Sequence, residues 1–174
     1  MKKIFFGLFF TTIVVCFAGK TADPQPTPSA DGFDMLKSLE GKWFGILKRD
    51  NGSEDPFNLT YSISSNGSAI LEESNTGGIE MLTIFNLHND AILLTHYCGL
   101  RNRPVSVLDS SEDGVFKFTT DAELSGLSLD NEMFVTSWVI DVMPEDPSKM
   151  YYQYTVSGPD GVAFIAKCDL TRAN

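Results

Sequence analysis

Ten short runs rich in β-branched and aromatic residues follow one another between residues 42 and 169, and each break between them carries turn chemistry. The runs lie near 42–49, 57–64, 68–74, 80–87, 91–98, 103–108, 115–120, 133–141, 150–157 and 162–169. Their separators include Asp50-Asn51-Gly52, Ser65-Asn66-Gly67, Thr76-Gly77-Gly78, Asn89-Asp90, Glu112-Asp113-Gly114 and Pro159-Asp160-Gly161. Gly, Asn and Asp there supply the positive φ of tight hairpins, and spacings this short leave no room for the helical crossovers of parallel sheets. In the second run Phe57, Leu59, Tyr61 and Ile63 interleave with Asn58, Thr60, Ser62 and Ser64, which gives one apolar and one polar face. Eight to ten hairpin-linked strands form a meander, and an open meander exposes two edges that closure removes. The expected fold is therefore all-β: one antiparallel up-and-down barrel of about 8–10 strands.

Upstream of the strands the pattern changes twice. Lys2 and Lys3 followed by the apolar run Ile4 to Phe17 read as a signal peptide, too short to span a bilayer comfortably. Cys16 and Ala18 satisfy the small-x-small rule for cleavage after Ala18; the alternative is a lipoprotein acylated on Cys16, although Val15 precedes it where Gly, Ala or Ser is wanted. Residues 19–32, with Pro24, Pro26 and Pro28 among small polar residues, read as a flexible linker. The folded domain is assigned to 33–174. It opens on a short helix capped by Asp31, with Phe33, Leu36 and Leu39 on an apolar face, ending at Gly41.

The chain carries 13 Lys plus Arg against 23 Asp plus Glu, a formal charge of −10, which becomes −12 once residues 1–18 and their two lysines are removed. That balance opposes binding to nucleic acid, which needs phosphates neutralised, and docking on anionic lipid. With the signal removed, three cysteines become two. In an oxidising compartment Cys98 and Cys168 are candidates for a disulfide, the alternative being two buried thiols.

Two segments carry a family resemblance. The first is Leu39-Glu40-Gly41-Lys42-Trp43-Phe44-Gly45, a Gly-x-Trp that opens the first strand after a short helix. The second is Thr95-His96-Tyr97-Cys98 with the turn Asn102-Arg103-Pro104, alongside Leu82-Thr83-Ile84-Phe85. Together they resemble lipocalins and their calycin relatives, in particular a group of uncharacterised bacterial exported barrels, over most of residues 33–168; Arg103 stands where that pattern carries Gln. The resemblance implies that Trp43 plugs the closed end of the barrel, that Lys167 or Arg172 lies across its indole, and that the open mouth holds one small ligand.

On the strand 91–98, alternation sends Thr95 and Tyr97 to one face and His96 and Cys98 to the other. An inward His96 offers a ligand one donor and one acceptor; otherwise it is a core histidine held by a neighbour. The candidate ligand contacts are His96, Tyr97, Tyr61, Asn102, Arg103 and Trp138. Phe57, Phe85, Phe116, Phe118, Phe134, Tyr152 and Tyr154 are expected in the lumen as well.

Catalytic and metal motifs are absent from the sequence: His88 and His96 lack ligand spacing, no Gly-x-Ser-x-Gly or phosphate loop occurs, and Glu72-Glu73 and Glu112-Asp113 read as solvated pairs. The expectation is an exported barrel that binds a small apolar or amphipathic molecule without transforming it, and that needs neither cofactor nor metal. The alternatives are a filled barrel working through its surface, at 99–104 or 121–131, and, third, a haem-binding or enzymatic barrel. The enzymatic reading requires His96 to converge with a second ionisable group.

Overall fold

A computed structural model describes residues 28–88 and 90–173 of the 174. The expected signal peptide, with Cys16, and residues 19–27 of the expected linker lie outside the described residues. Helix α1 (Pro28–Lys37) is followed by β1 (Gly41–Arg49), β2 (Glu54–Ser64), a 3-10 turn at Ser65–Gly67, β3 (Ala69–Thr76) and β4 (Ile79–His88). Then come β5 (Ala91–Tyr97), β6 (Val105–Glu112), β7 (Val115–Asp121), the single-turn α2 (Ala122–Ser125), β8 (Phe134–Asp141), β9 (Lys149–Gly158) and β10 (Gly161–Arg172). Each strand pairs antiparallel with its sequence neighbours, and β1 pairs with β10 from Trp43 opposite Arg172 to Arg49 opposite Ala166. The result is a closed ten-stranded up-and-down barrel with a short N-terminal helix.

The meander gives the barrel two unlike ends. Odd strands run from the end where α1 sits toward the other, so the turns after β2, β4, β6 and β8 lie at the α1 end. The long connections 98–104 and 122–133 lie at the opposite end. Helix α1 begins at Pro28, inside the expected linker, because proline's fixed φ and missing N–H suit a first helical turn. Asp31 therefore falls inside that turn, near the positive end of the helix dipole, instead of capping it. Phe33, Leu36 and Leu39 are buried and close this end.

Trp43 completes the closure. Its indole N–H donates to the Leu39 carbonyl at 2.8 Å, and the Arg172 guanidinium lies 4.2 Å from the ring centroid. Arg172 also donates to the carbonyls of Glu40 (2.5 Å), Ser38 (2.7 Å) and Pro147 (3.0 Å), tying the last strand to the segment before β1. Lys167 is exposed and paired with Lys48 across the seam, so of the two expected cations it is Arg172 that covers the indole. At Gly45 this seam is tight: a Cβ there would sit 2.5 Å from Cys168 Sγ and 2.6 Å from the Asp169 carbonyl.

The inward positions are aromatic and aliphatic. Phe57, Leu59, Tyr61, Phe85, Phe116, Phe118, Phe134, Trp138 and Tyr152 are all buried, and Tyr154 is partly so. Ile63, the last apolar position of the alternating run in β2, is exposed because β1, whose first residue Gly41 pairs with Tyr61, does not flank β2 there. Outward positions include Lys42, Lys48, Asn58, Glu73, Lys117, Lys167 and Asp169. Among the described residues no helix is long and apolar enough to cross a membrane.

Cys98 and Cys168 are both free thiols. In a ring of ten strands β5 and β10 are five steps apart in either direction, so Cys98, just past β5, and Cys168 on β10 stand on opposite walls. A disulfide requires Cβ atoms within about 4.5 Å, which opposite walls cannot provide.

Candidate functional site

Side chains fill the closed half of the barrel and stop short in the other half. There a cavity of about 260 Å³ opens between Arg49 and Asp55, the β3–β4 turn at Gly77, and the β5–β6 loop at Gly99 and Leu100. A wall of rings runs along one side. Phe57 lies 5.5 Å from Tyr152, Tyr152 5.9 Å from Trp138, Trp138 5.6 Å from Tyr154, and Tyr154 6.2 Å from Phe164, in tilted or edge-on contacts. At the mouth Arg49 donates to Asp55 Oδ2 at 2.6 Å and to Ser53 Oγ at 3.2 Å, with its guanidinium 5.5 Å from the Phe164 ring.

The floor of the cavity is polar. His96 points inward, is 3% exposed, and stands edge-on to Trp138 with ring centroids 5.0 Å apart. Its Nδ1 lies 2.9 Å from Thr83 Oγ1. Thr83 donates to Glu72 Oε1 at 3.0 Å, as does Tyr152 at 3.0 Å, and Tyr61 donates to Glu72 Oε2 at 2.6 Å. One buried carboxylate thus collects three hydroxyls and is joined to the imidazole through Thr83. The Thr76 hydroxyl is also buried and faces the cavity, with no partner among the described residues.

Burial displaces the titration of all these groups. Desolvation pulls the His96 imidazole down to about 4, so it is neutral near pH 7. Burial pushes Glu72 above the usual carboxylate range, an effect opposed by the hydroxyls of Tyr61, Tyr152 and Thr83. Tyr61 and Tyr152 are held well above the ordinary tyrosine value, first by burial and then by the charge of Glu72.

The structure brings His96 and Trp138 to the cavity together with Cys98. The other expected contacts lie elsewhere. Tyr97 takes the opposite face of β5 and is exposed, as alternation requires once His96 is inward. Arg103 is exposed on the β5–β6 loop, outside the cavity. Asn102 is structural: its amide donates to the Met133 carbonyl at 2.8 Å and to Glu132 Oε2 at 3.2 Å, fastening that loop to the start of β8. Tyr61 lies below the cavity, where it serves Glu72.

Glu72-Glu73 is not a solvated pair: Glu73 is exposed, whereas Glu72 is 1% exposed and central to the lumen. Glu72, Thr83 and Thr76 were not anticipated. On β3 both Ile70-Glu72-Ser74-Thr76 and Ala69-Leu71-Glu73-Asn75 mix apolar with polar residues, so alternation alone does not say which set faces in. Among the described residues no three of His, Cys, Asp or Glu gather as a metal site.

No family model matches the chain, and no curated protein matches it. Among solved structures it is similar to a protein of unknown function from the DUF3598 family of Nostoc punctiforme, with a TM-score of 0.58 and 12% identity over 79% of this chain. The chain spans 48% of that protein's length. It is also similar to EF1p2_mFAP2b bound to DFHBI, with a TM-score of 0.41 and 8% identity over 82% of this chain and 98% of that one. At 12% identity the likeness to the first of these is one of fold alone.

Proposed function

We propose that this chain is an exported, calycin-like cup that holds one small, mainly apolar ligand in the open half of its barrel and does not transform it. The observation that carries the reading is the cavity of about 260 Å³, walled by rings and floored by a few inward polar groups, the usual make-up of a ligand site. A barrel working only through its outer surface has no need to leave that half of its lumen unfilled. Export is supported by the leader reading of residues 1–18.

The enzymatic alternative finds its required convergence, since His96 reaches Glu72 through one hydroxyl. The chemistry does not follow. An imidazole titrating at about 4 is a weak base near neutral pH, and Glu72 sits behind the cavity wall with its oxygens already taken. The size of the cavity speaks against haem, since about 260 Å³ falls short of even the roughly 300 Å³ at which drug-sized sites begin.

Native mass spectrometry of mature protein purified gently from its own cells tests the reading. The expected result is a mass excess over the unfolded chain that disappears on unfolding. Val156, a buried residue of β9, lines the cavity, and a Val156→Trp variant that fills it should lose that excess while still unfolding cooperatively. A bare wild-type chain would sink the proposal.

A further inference from the structure

The polar floor has a definite proton arrangement. Tyr61 and Tyr152 each have one hydroxyl proton, and for each the hydrogen-bond partner is a Glu72 oxygen. The Thr83 hydroxyl is within reach of the same carboxylate at 3.0 Å. With Glu72 ionised, its two oxygens accept from all three donors at once. Thr83 has then spent its one proton on Glu72, and its oxygen can only accept from the other side. His96 Nδ1, 2.9 Å away, must therefore carry the imidazole proton. A neutral imidazole protonated at Nδ1 has a bare lone pair at Nε2. That nitrogen belongs to a residue lining the cavity and has no hydrogen-bond partner among the described residues.

The walls limit what can approach it. An apolar cavity of about 150 Å³ takes benzene, so one of about 260 Å³ takes roughly ten non-hydrogen atoms, the size of two fused rings. Phe57, Tyr152, Trp138, Tyr154 and Phe164 form a continuous set of faces and edges suited to a flat ring system. An acceptor-only ligand placed there would leave Nε2 unpaired, and a buried unpaired acceptor costs about 1–3 kcal/mol.

From this geometry we infer that the ligand is a flat aromatic compound of about two rings bearing a hydrogen-bond donor, a phenol-type hydroxyl or a ring N–H, and that Nε2 of His96 receives that donor. The Glu72–Thr83 pair is the positioning element that keeps the proton on Nδ1. This inference rests on the cup reading above and narrows it.

The test uses naphthalene, 2-naphthol and 2-methoxynaphthalene as probes of one size, titrated by calorimetry against the full mature chain near pH 7. The methyl ether keeps the oxygen and loses the donor. Wild type is expected to bind 2-naphthol about tenfold more tightly than the ether. His96→Phe should bring the two within about twofold, any residue being the bulk of the methyl group. Nitrogen-15 NMR of the ligand-free wild type, which needs no variant, should show a protonated Nδ1 and a bare Nε2. Thr83→Val, which removes the group holding the Nδ1 proton, should reduce the naphthol preference severalfold. Equal affinity of all three probes for wild type, or an Nε2-protonated imidazole, overturns this inference and leaves the cup standing. Failure of all three probes to bind overturns this inference; the cup falls with it only if the native mass excess is absent as well.

Discussion

Acidification should weaken this fold through one residue, and the contribution can be isolated. His96 is buried and titrates at about 4 in the folded chain, against 6.5 when exposed. The folded state thus favours the neutral imidazole. That stability is fully present above pH 6.5 and is lost as pH falls toward 4. Two and a half pKa units correspond to roughly 3 kcal/mol in all, of which about 2.5 kcal/mol disappears between pH 7 and pH 4.5. Glu72 works in the opposite sense: its folded value is raised, so the folded state takes up its proton first and acid relieves a cost above 4.5. The net curve of the wild type mixes the two. The useful quantity is the difference in unfolding free energy between wild type and His96→Phe, measured by urea titration across that range. That difference should fall by about 2.5 kcal/mol, at up to about 1.4 kcal/mol per pH unit in its steepest part. A difference flat to within about 0.5 kcal/mol would mean that His96 is hydrated in solution and that the floor of the cavity is not sealed.

Two further perturbations probe the ends of the network. Arg172→Ala removes a cation from the Trp43 face and three donors to carbonyls, and is expected to lower the urea-derived stability by about 2–3 kcal/mol; a loss under about 0.5 kcal/mol would show that the closed end is held by α1 alone. Glu72→Gln replaces one acceptor by a donor facing hydroxyls that also donate, costing about 1–3 kcal/mol, whereas Glu73→Gln on the exposed face should stay within about 0.5 kcal/mol. Equal effects at the two positions would place Glu72 in water.

The strands were legible because hairpins write themselves locally: Asp50-Asn51-Gly52 and Glu112-Asp113-Gly114 demand positive φ, and Gly52, Asp113 and Gly114 have it. Trp43 was legible for a similar reason, since its helix, glycine and strand are contiguous. What depended on closure was hidden. Cys98 and Cys168 look pairable until ten strands place β5 opposite β10. Lys167 and Arg172 look interchangeable until register puts Arg172 opposite Trp43 and Lys167 opposite Lys48. The facing of His96 could not be read from Ile92-Leu93-Leu94, where apolar residues occupy both faces, and Glu72 was masked in the same way by Ile70 and Leu71.

That a carboxylate should lie at the centre of an aromatic barrel runs against simple burial, because an ionised group in such surroundings costs several kcal/mol unless its lone pairs are engaged. Here they are engaged by side chains from three other strands: Tyr61 on β2, Thr83 on β4 and Tyr152 on β9. Of these, β2 and β4 flank β3, but β9 is four strands away around the ring, so the Tyr152 bond spans the lumen. A hydrophobic filling of equal volume would stabilise the barrel at least as well, yet it would tolerate slippage of side chains past one another. The carboxylate does not, since displacing any of its three partners leaves a buried donor or acceptor unpaired. The effect is to pin Tyr152 and, through Thr83, His96 in single orientations at the boundary between the filled and open halves. What separates a floor from a collapsed core in this barrel is therefore a set of four polar side chains around Glu72, and the cavity above them owes its shape to their geometry.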